Sequence, residues 1–390
     1  MDSLLMISLI TICLLTYGIV EYFAHQRNLK KIPIRIHVNG TRGKSSVTRL
    51  VGAGLRAGGY NTVTKVTGTF PRMILSDGTE VAIHRKTNAN ILEQLNIVSY
   101  AAKQKADILL IECMALNPIY QRITEHQMIK ATHGVITNIR LDHLDVMGPG
   151  LKDVANALAL TIPKQSKLFS AENRLEGFLE EKCNKLRTTF FNHSAVEISD
   201  EDMSGFTYLE HKENVALALS ICESLNVERS IALQAMKKTR PDEGVLKKFT
   251  IQHNIHHVHF YNALAANDPE SSILLWKKIK EKEGHQKSYM VLINSRKDRK
   301  ERSEQLTSAV SNLQFDKLLL TGENVHQVKV MAEKSGIKEG KIIPIGQDQP
   351  QNQFKKISPN IQDELVIVAF GNMGAGGAEL TKYFEQNKIA

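Results

Sequence analysis

The chain has 390 residues, 42% of them hydrophobic and 23% charged, and 50 Lys and Arg against 41 Asp and Glu give it a net charge of +9. At more than twice the roughly 150 residues of a common domain, it should hold two or three domains, which excludes a peptide-sized scaffold, and this composition excludes wholesale disorder. The charge favours anionic partners, whether nucleotide phosphates, an acidic polymer, nucleic acid or lipid headgroups, and does not choose among them.

Residues 3–20 carry no charge, close to the roughly 20 apolar residues that cross a bilayer. Asp2 precedes the run, while His25, Arg27, Lys30 and Lys31 follow it, so the positive flank places the body in the cytoplasm beneath a single-pass anchor. A cleaved signal peptide is the rival, but a positive leading flank and an A-x-A-like site are both missing. A buried N-terminal helix stays open, because Thr11, Thr16 and Tyr17 dilute the hydrophobicity. Cys13, Cys113, Cys183 and Cys222 form no C-x-x-C pair and read as reduced, buried thiols.

The next apolar, β-branched run, 34–38, reads as a strand. It leads into Asn39-Gly40-Thr41-Arg42-Gly43-Lys44-Ser45-Ser46, and a helix opens near Val47. Strand, glycine loop and helix follow the order of a phosphate cradle, in which the glycines admit the oxygens and the helix N-terminus offers free N–H groups. Lys44 would reach the β- and γ-phosphates and Ser45 would hold Mg²⁺. The loop is two residues shorter than G-x-x-x-x-G-K-[ST], and a basic loop capped by serine is the bland alternative.

Further strands are read at 62–66, 108–113 and 135–139, then at 257–263, 289–294, 317–321, 342–345 and 365–370, alternating with helical patterns as in βαβ units. Glu112 ends a buried strand, at the edge where open α/β sheets collect ligands, and reads as a metal ligand or one half of a buried ion pair. Asn138 ends the next strand, and His143, between Asp142 and Asp145, reads as a second cation ligand or as an exposed residue beside a helix cap. Helices are read at 213–225 and 229–238, with a hinge at 239–244. This gives a membrane anchor over 1–24, a nucleotide-binding α/β domain over 32–240 and a smaller α/β domain over 245–390.

Between Trp276 and Arg302 lie ten cations and four acids, most of them read as solvated helix faces. Residues 294–298 follow a strand and are the better candidate for nucleotide or polymer contact. His253, His256, His257 and His259 read as structural. Aromatic content of 6% without a recognisable module argues against nucleic acid. A membrane-anchored P-loop NTPase driving transport or regulation without amide-bond formation fits the loop and the anchor. It leaves the shortened loop, the Asp142-His143-Leu144-Asp145 run and the glycine-rich 371–377 unexplained.

GTRGKSS, the strand-end Glu112, ITNIRLDHLD and HKENVA resemble the Mur ligase superfamily, ATP-dependent enzymes that join amino acids to peptidoglycan precursors or folates. NGTRGKSS, IECMALNP, NALAANDPES and AFGNMGAGG look more narrowly like the ligase subunits of poly-γ-glutamate synthases. The resemblance implies a P-loop central domain with a smaller, Rossmann-like C-terminal α/β domain, and an ATP-dependent ligase that adds glutamate to a growing chain through γ-carboxyl linkages by way of an acyl phosphate. It implies that Gly40, Thr41, Arg42, Gly43, Lys44, Ser45 and Ser46 handle ATP phosphates, and that Ser45, Glu112 and His143 hold Mg²⁺ or Mn²⁺. Asn138, Asn214 and Asn267 would line the nucleotide site, and Arg240 would point at ATP. Lys44, Glu112, His143 and Arg240 are thus the catalytic candidates, and other membrane subunits of a capsule-synthesis complex the implied partners. Asn262 stands where Mur enzymes usually have Asp. No segment matches a UDP-sugar domain, and the position of a carbamylated lysine falls on Leu158, with Lys152 and Lys164 poor substitutes.

Overall fold

The structure, a computed structural model, describes all residues except 1, 2, 69, 70, 86–88, 194–197, 207, 209, 242–245, 266–268, 285 and 390. Contacts divide the chain into two units, Met1–Pro241 and Asp242–Ala390. Residues 242–244 of the expected hinge, and Asn267, lie outside the described residues.

The first unit opens with α1 (Ser3–Lys30), ten residues longer than the apolar run. Its side chains are exposed as far as Ala24 and then dock, with His25 and Leu29 buried. That exposure counts against a buried helix, and it corrects the cysteine reading at one place: Cys13 is exposed, while Cys113, Cys183 and Cys222 are buried.

Eight strands follow: β1 (Ile34–Asn39), β2 (Thr62–Val66), β3 (Arg72–Ile74), β4 (Glu80–Ala82), β5 (Ile108–Glu112), β6 (His133–Ile136), β7 (Lys167–Ser170) and β8 (Thr189–Asn192). They form one sheet in the order β4-β3-β2-β5-β1-β6-β7-β8. Six strands run parallel, and β3 and β4 add an antiparallel edge. The central trio β5-β1-β6 is in register through Val38 with Glu112 and Asn39 with Ile136, so three expected ligand-bearing strand ends lie side by side.

Helix α2 (Lys44–Ala57) buries Val47, Leu50, Val51 and Leu55 against the sheet and against helices Lys212–Ser224 and Arg229–Lys237. A Cβ at Gly54 would stand 2.7 Å from Cys222 Sγ, so glycine permits that close helix crossing. Full burial of each aliphatic side chain stabilises by about 1.5–3 kcal/mol, which fixes the start of α2 over the end of β1.

The second unit has β9 (Lys247–His253), β10 (His256–Asn262), β11 (Ser288–Ser295), β12 (Lys317–Gly322), β13 (Ile342–Gly346) and β14 (Leu365–Gly371), in the order β13-β12-β11-β14-β10-β9. Only β9 is antiparallel. The chain moves outward from β11 to β13 and returns at β14 beside β11, which makes the β11/β14 crevice the topological switch point. The histidines at 253, 256, 257 and 259 lie in the β9–β10 hairpin, where His257 Nδ1 stands 3.2 Å from Glu364.

Candidate functional site

Helix α2 begins at Lys44 rather than near Val47, directly after Gly43 at φ 80°, and no side chain caps it. Its first N–H groups therefore face the loop as free donors for an anion. Gly40 sits at φ 133°, and a Cβ there would lie 2.1 Å from Thr137 Oγ1, so the end of β6 presses on the loop at a point only glycine fits. A Cβ on Gly43 would meet Asn214 Oδ1 at 2.6 Å.

Asn138 clamps the loop from the other side. Its Oδ1 accepts Arg42 N–H at 3.1 Å, its Nδ2 donates to Arg42 O at 3.0 Å, and its carbonyl accepts Thr41 N–H at 2.9 Å. Arg42 pairs with Asp142 at 3.2 Å, and Asp142 Oδ1 accepts the N–H of His143, whose φ is 49°. Asp142 thus binds the loop instead of capping the short helix Leu144–Met147.

Lys44 folds back on its own loop and donates to Gly40 O at 2.8 Å and Thr41 O at 3.2 Å. Burial lowers its pKa, against the pull of the Glu112 carboxylate. A cavity of about 20 Å³ remains among Gly40, Thr41, Lys44, Cys113, Asp142 and His143, room for about one water.

Glu112 is 2% exposed. It accepts the Ser45 hydroxyl at 3.1 and 3.0 Å and the Thr67 N–H at 2.7 Å. A buried carboxylate held by one hydroxyl and one amide, beside a phosphate cradle, fits a hard divalent cation completed by water and phosphate oxygens. Among the described residues no three His, Cys, Asp or Glu side chains gather as a protein-only metal site. His143 Nε2 lies 3.7 Å from Asp142 and lines the same cavity as Lys44.

Two carboxylates escaped sequence reasoning. Glu210, 6% exposed, accepts Asn214 Nδ2 at 2.8 Å and the N–H of His211 at 2.9 Å, so it aims Asn214 at Gly43. Burial raises its pKa. The available signal was an acid immediately before a helix opening with His-Lys-Glu-Asn. Glu125 accepts from His37 at 2.8 Å beneath the loop, and no local pattern marks it. Arg240 is exposed; Glu80 on β4 is held by Arg49 at 2.6 Å, and against burial the Arg49, Arg72 and, least, Arg240 charges keep its carboxyl below the usual range.

In the second unit a pocket of about 630 Å³ opens at the β11/β14 switch point, lined by Arg296, Lys297, Asp298, Glu323, Gly374 and Ala375. Asn294 holds the glycine-rich turn by donating to Gly374 O at 2.7 Å. Asn262, 1% exposed, accepts Leu264 N–H at 3.2 Å.

Residues 38–266 match the Mur ligase middle domain, and residues 249–387 match the poly-gamma-glutamate synthase CapB C-terminal domain. The chain belongs to the CapB family of Mur-type ligases. The capsule biosynthesis protein CapB of Bacillus anthracis is 35% identical over 86% of this chain and 73% of its own length. The PGA synthase CapB of Bacillus subtilis strain 168 is 32% identical over 96% of both. E. coli FolC in complex with ADP shares the fold at a TM-score of 0.73 and 14% identity, covering 94% of this chain and 93% of that one. A folylpolyglutamate synthase/dihydrofolate synthase from Yersinia pestis, complexed with AMPPNP and Mn ion, does so at 0.71 and 12%, covering 92% and 91%. Family membership makes the chain an amide ligase and sets aside a transport or regulatory NTPase.

Proposed function

We propose that this ligase uses ATP to join glutamate units through their γ-carboxyl groups, building poly-γ-glutamate at a membrane. The Ser45–Glu112 pair beside the glycine loop carries the reading, because it sets a hydroxyl and a buried carboxylate where a nucleotide-bound cation needs them. Support comes from the CapB relatives and from the folylpolyglutamate synthase fold, whose solved forms include one with Mn, AMPPNP and L-glutamate bound.

ATP would lie across Gly40–Ser46, with Lys44 rotated onto the β- and γ-phosphates and Asn138 and Asn214 holding the loop shape. Ser45 and Glu112 would hold the divalent cation, with His143 at the cavity wall. When bound, that cation supplies charge neutralisation as the γ-phosphoryl passes to a γ-carboxylate. The loop N–H groups and Lys44 would stabilise the same developing charge, and the amine of the next glutamate would then attack the acyl phosphate, forming the amide C–N bond as the C–O bond breaks and phosphate leaves with the amine proton passing to solvent. The second unit's pocket suits that zwitterion: Arg296, Lys297 and the N–H groups of the glycine turn for the α-carboxylate, Glu323 and Asp298 for the ammonium. Residues 32–240 are thus assigned to ATP and 245–390 to the incoming amino acid, with Arg240 and Asn267 as further nucleotide contacts.

Helix α1 is long and apolar enough to cross a membrane. We read residues 1–24 as the anchor, the body as cytoplasmic, and export as the work of further membrane subunits. The test is ADP and phosphate release by the membrane-embedded chain, with and without glutamate, and mass analysis of the product. Glutamate-dependent release with γ-linked oligomers is expected. ADP release indifferent to glutamate overturns the reading.

A further inference from the structure

Where α1 meets the body, the fold gathers cations that the ligase chemistry does not use. Arg27, Lys30 and Lys31 are exposed at the end of α1. Lys130, distant in sequence, joins them by donating to Gln26 Oε1 at 2.7 Å. It holds a left-handed backbone at φ 49°, so the turn that presents it is fixed by its surroundings rather than by residue preference.

The junction is rigid. Arg35 donates to the carbonyls of Ile32 at 2.6 Å, Ile129 at 3.1 Å and Lys130 at 2.8 Å, and His25 Nε2 lies 2.8 Å from Met128 O. Among the described residues none of Arg27, Lys30, Lys31 and Lys130 pairs with a carboxylate.

The height of this collar follows from helix geometry. Ser3 to Tyr22 spans about 30 Å at 1.5 Å per residue, one hydrocarbon thickness. Exposed Tyr22 and Phe23 then fall at the level where aromatic side chains border headgroups. Gln26, with Lys130 on it, stands one helical turn beyond. Lys130 precedes β6 and Lys31 precedes β1, so the collar lies on the amino edge of the sheet, opposite the phosphate loop.

We propose that Arg27, Lys30, Lys31 and Lys130 form a docking surface for anionic lipid headgroups, seating the ATP-binding unit amino edge down with its phosphate loop facing away from the membrane. The proposal rests on the reading of α1 as a membrane anchor. Unpaired lysines within a Debye length of an anionic leaflet are attracted to it, and salt weakens the attraction.

The full chain is placed in nanodiscs of phosphatidylcholine alone or mixed with phosphatidylglycerol, and lysine acetylation is followed by peptide mass analysis. Lys130 should acetylate about five-fold more slowly in the anionic discs, with high salt removing the difference. Exposed Lys152, in the first turn of the helix Leu151–Ala159 that leads from β6 to β7, should not change. Equal Lys130 rates in both discs, with the chain inserted, overturn the collar and leave the anchor standing. Failure to enter either disc overturns both.

Discussion

The Lys44 ammonium lies 2.8 Å from the carbonyl oxygen of Gly40, inside the loop it serves. In the proposed reaction the lysine would exchange its two carbonyl contacts, Gly40 O and Thr41 O, for charged phosphate oxygens. Lys44→Ala should therefore leave folding intact while removing the charge on the transferring phosphoryl group. Glutamate-dependent ADP release should fall about 100- to 1,000-fold, with the melting temperature nearly unchanged. A variant that keeps wild-type turnover would remove Lys44 from the chemistry.

Glu112 and Ser45 make separable contributions. Glu112→Gln keeps an acceptor for the Thr67 N–H, found at 2.7 Å, but loses the negative charge. The Mg²⁺ concentration for half-maximal activity should rise at least about ten-fold, equivalent to about 1.4 kcal/mol, whereas ADP binding without metal should change little. Ser45→Ala should shift it in the same direction, because the hydroxyl is the second ligand of the proposed cation site. Titration of activity against Mg²⁺ at saturating glutamate decides both.

Local patterns exposed much of this arrangement and failed where distant residues meet. The run read as a strand at 62–66 is β2, because its β-branched residues are all buried. The edge strands β3 and β4 have three residues each, too short to show a period, and β7 and β8 have four. The loop, the strand end at Glu112 and the polar Asn138, two residues past the end of β6, were legible because glycines and polar residues interrupt apolar runs. Glu125 lies in a π-helical turn, Thr124–Ile129, and reaches His37 across 88 positions, a relationship with no local trace.

That His37–Glu125 contact makes stability depend on pH. Burial opposes charge on His37, but the Cys113 thiol and the Glu125 carboxylate outweigh it and lift its pKa from 6.5 to about 9. With the folded value above the unfolded one, the stabilisation is fully present below pH 6.5 and is lost as pH rises through about 9. Its size is about 2–4 kcal/mol for a shift of this order. The urea midpoint of the wild type should fall across that window, and the gap to Glu125→Gln should narrow with it. A constant gap from pH 6 to 9.5 would contradict this.

Glu210 separates stability from positioning. Burial raises its carboxyl pKa, so the folded state holds the proton more tightly than the unfolded chain, and the ionised form is the disfavoured one once pH exceeds the folded value. Glu210→Gln keeps a carbonyl oxygen for Asn214 Nδ2 and His211 N–H and removes the buried charge, so at neutral pH it should match or exceed the wild type in melting temperature. Glu210→Ala leaves Asn214 unheld beside Gly43, where Asn214 Oδ1 sits within 2.6 Å of the position of a Cβ. The loop should then lose its fixed shape, and KM for ATP should rise several-fold in the alanine variant and stay near wild type in the glutamine variant. If both variants alter KM equally, Glu210 acts through its charge on the nucleotide rather than through Asn214.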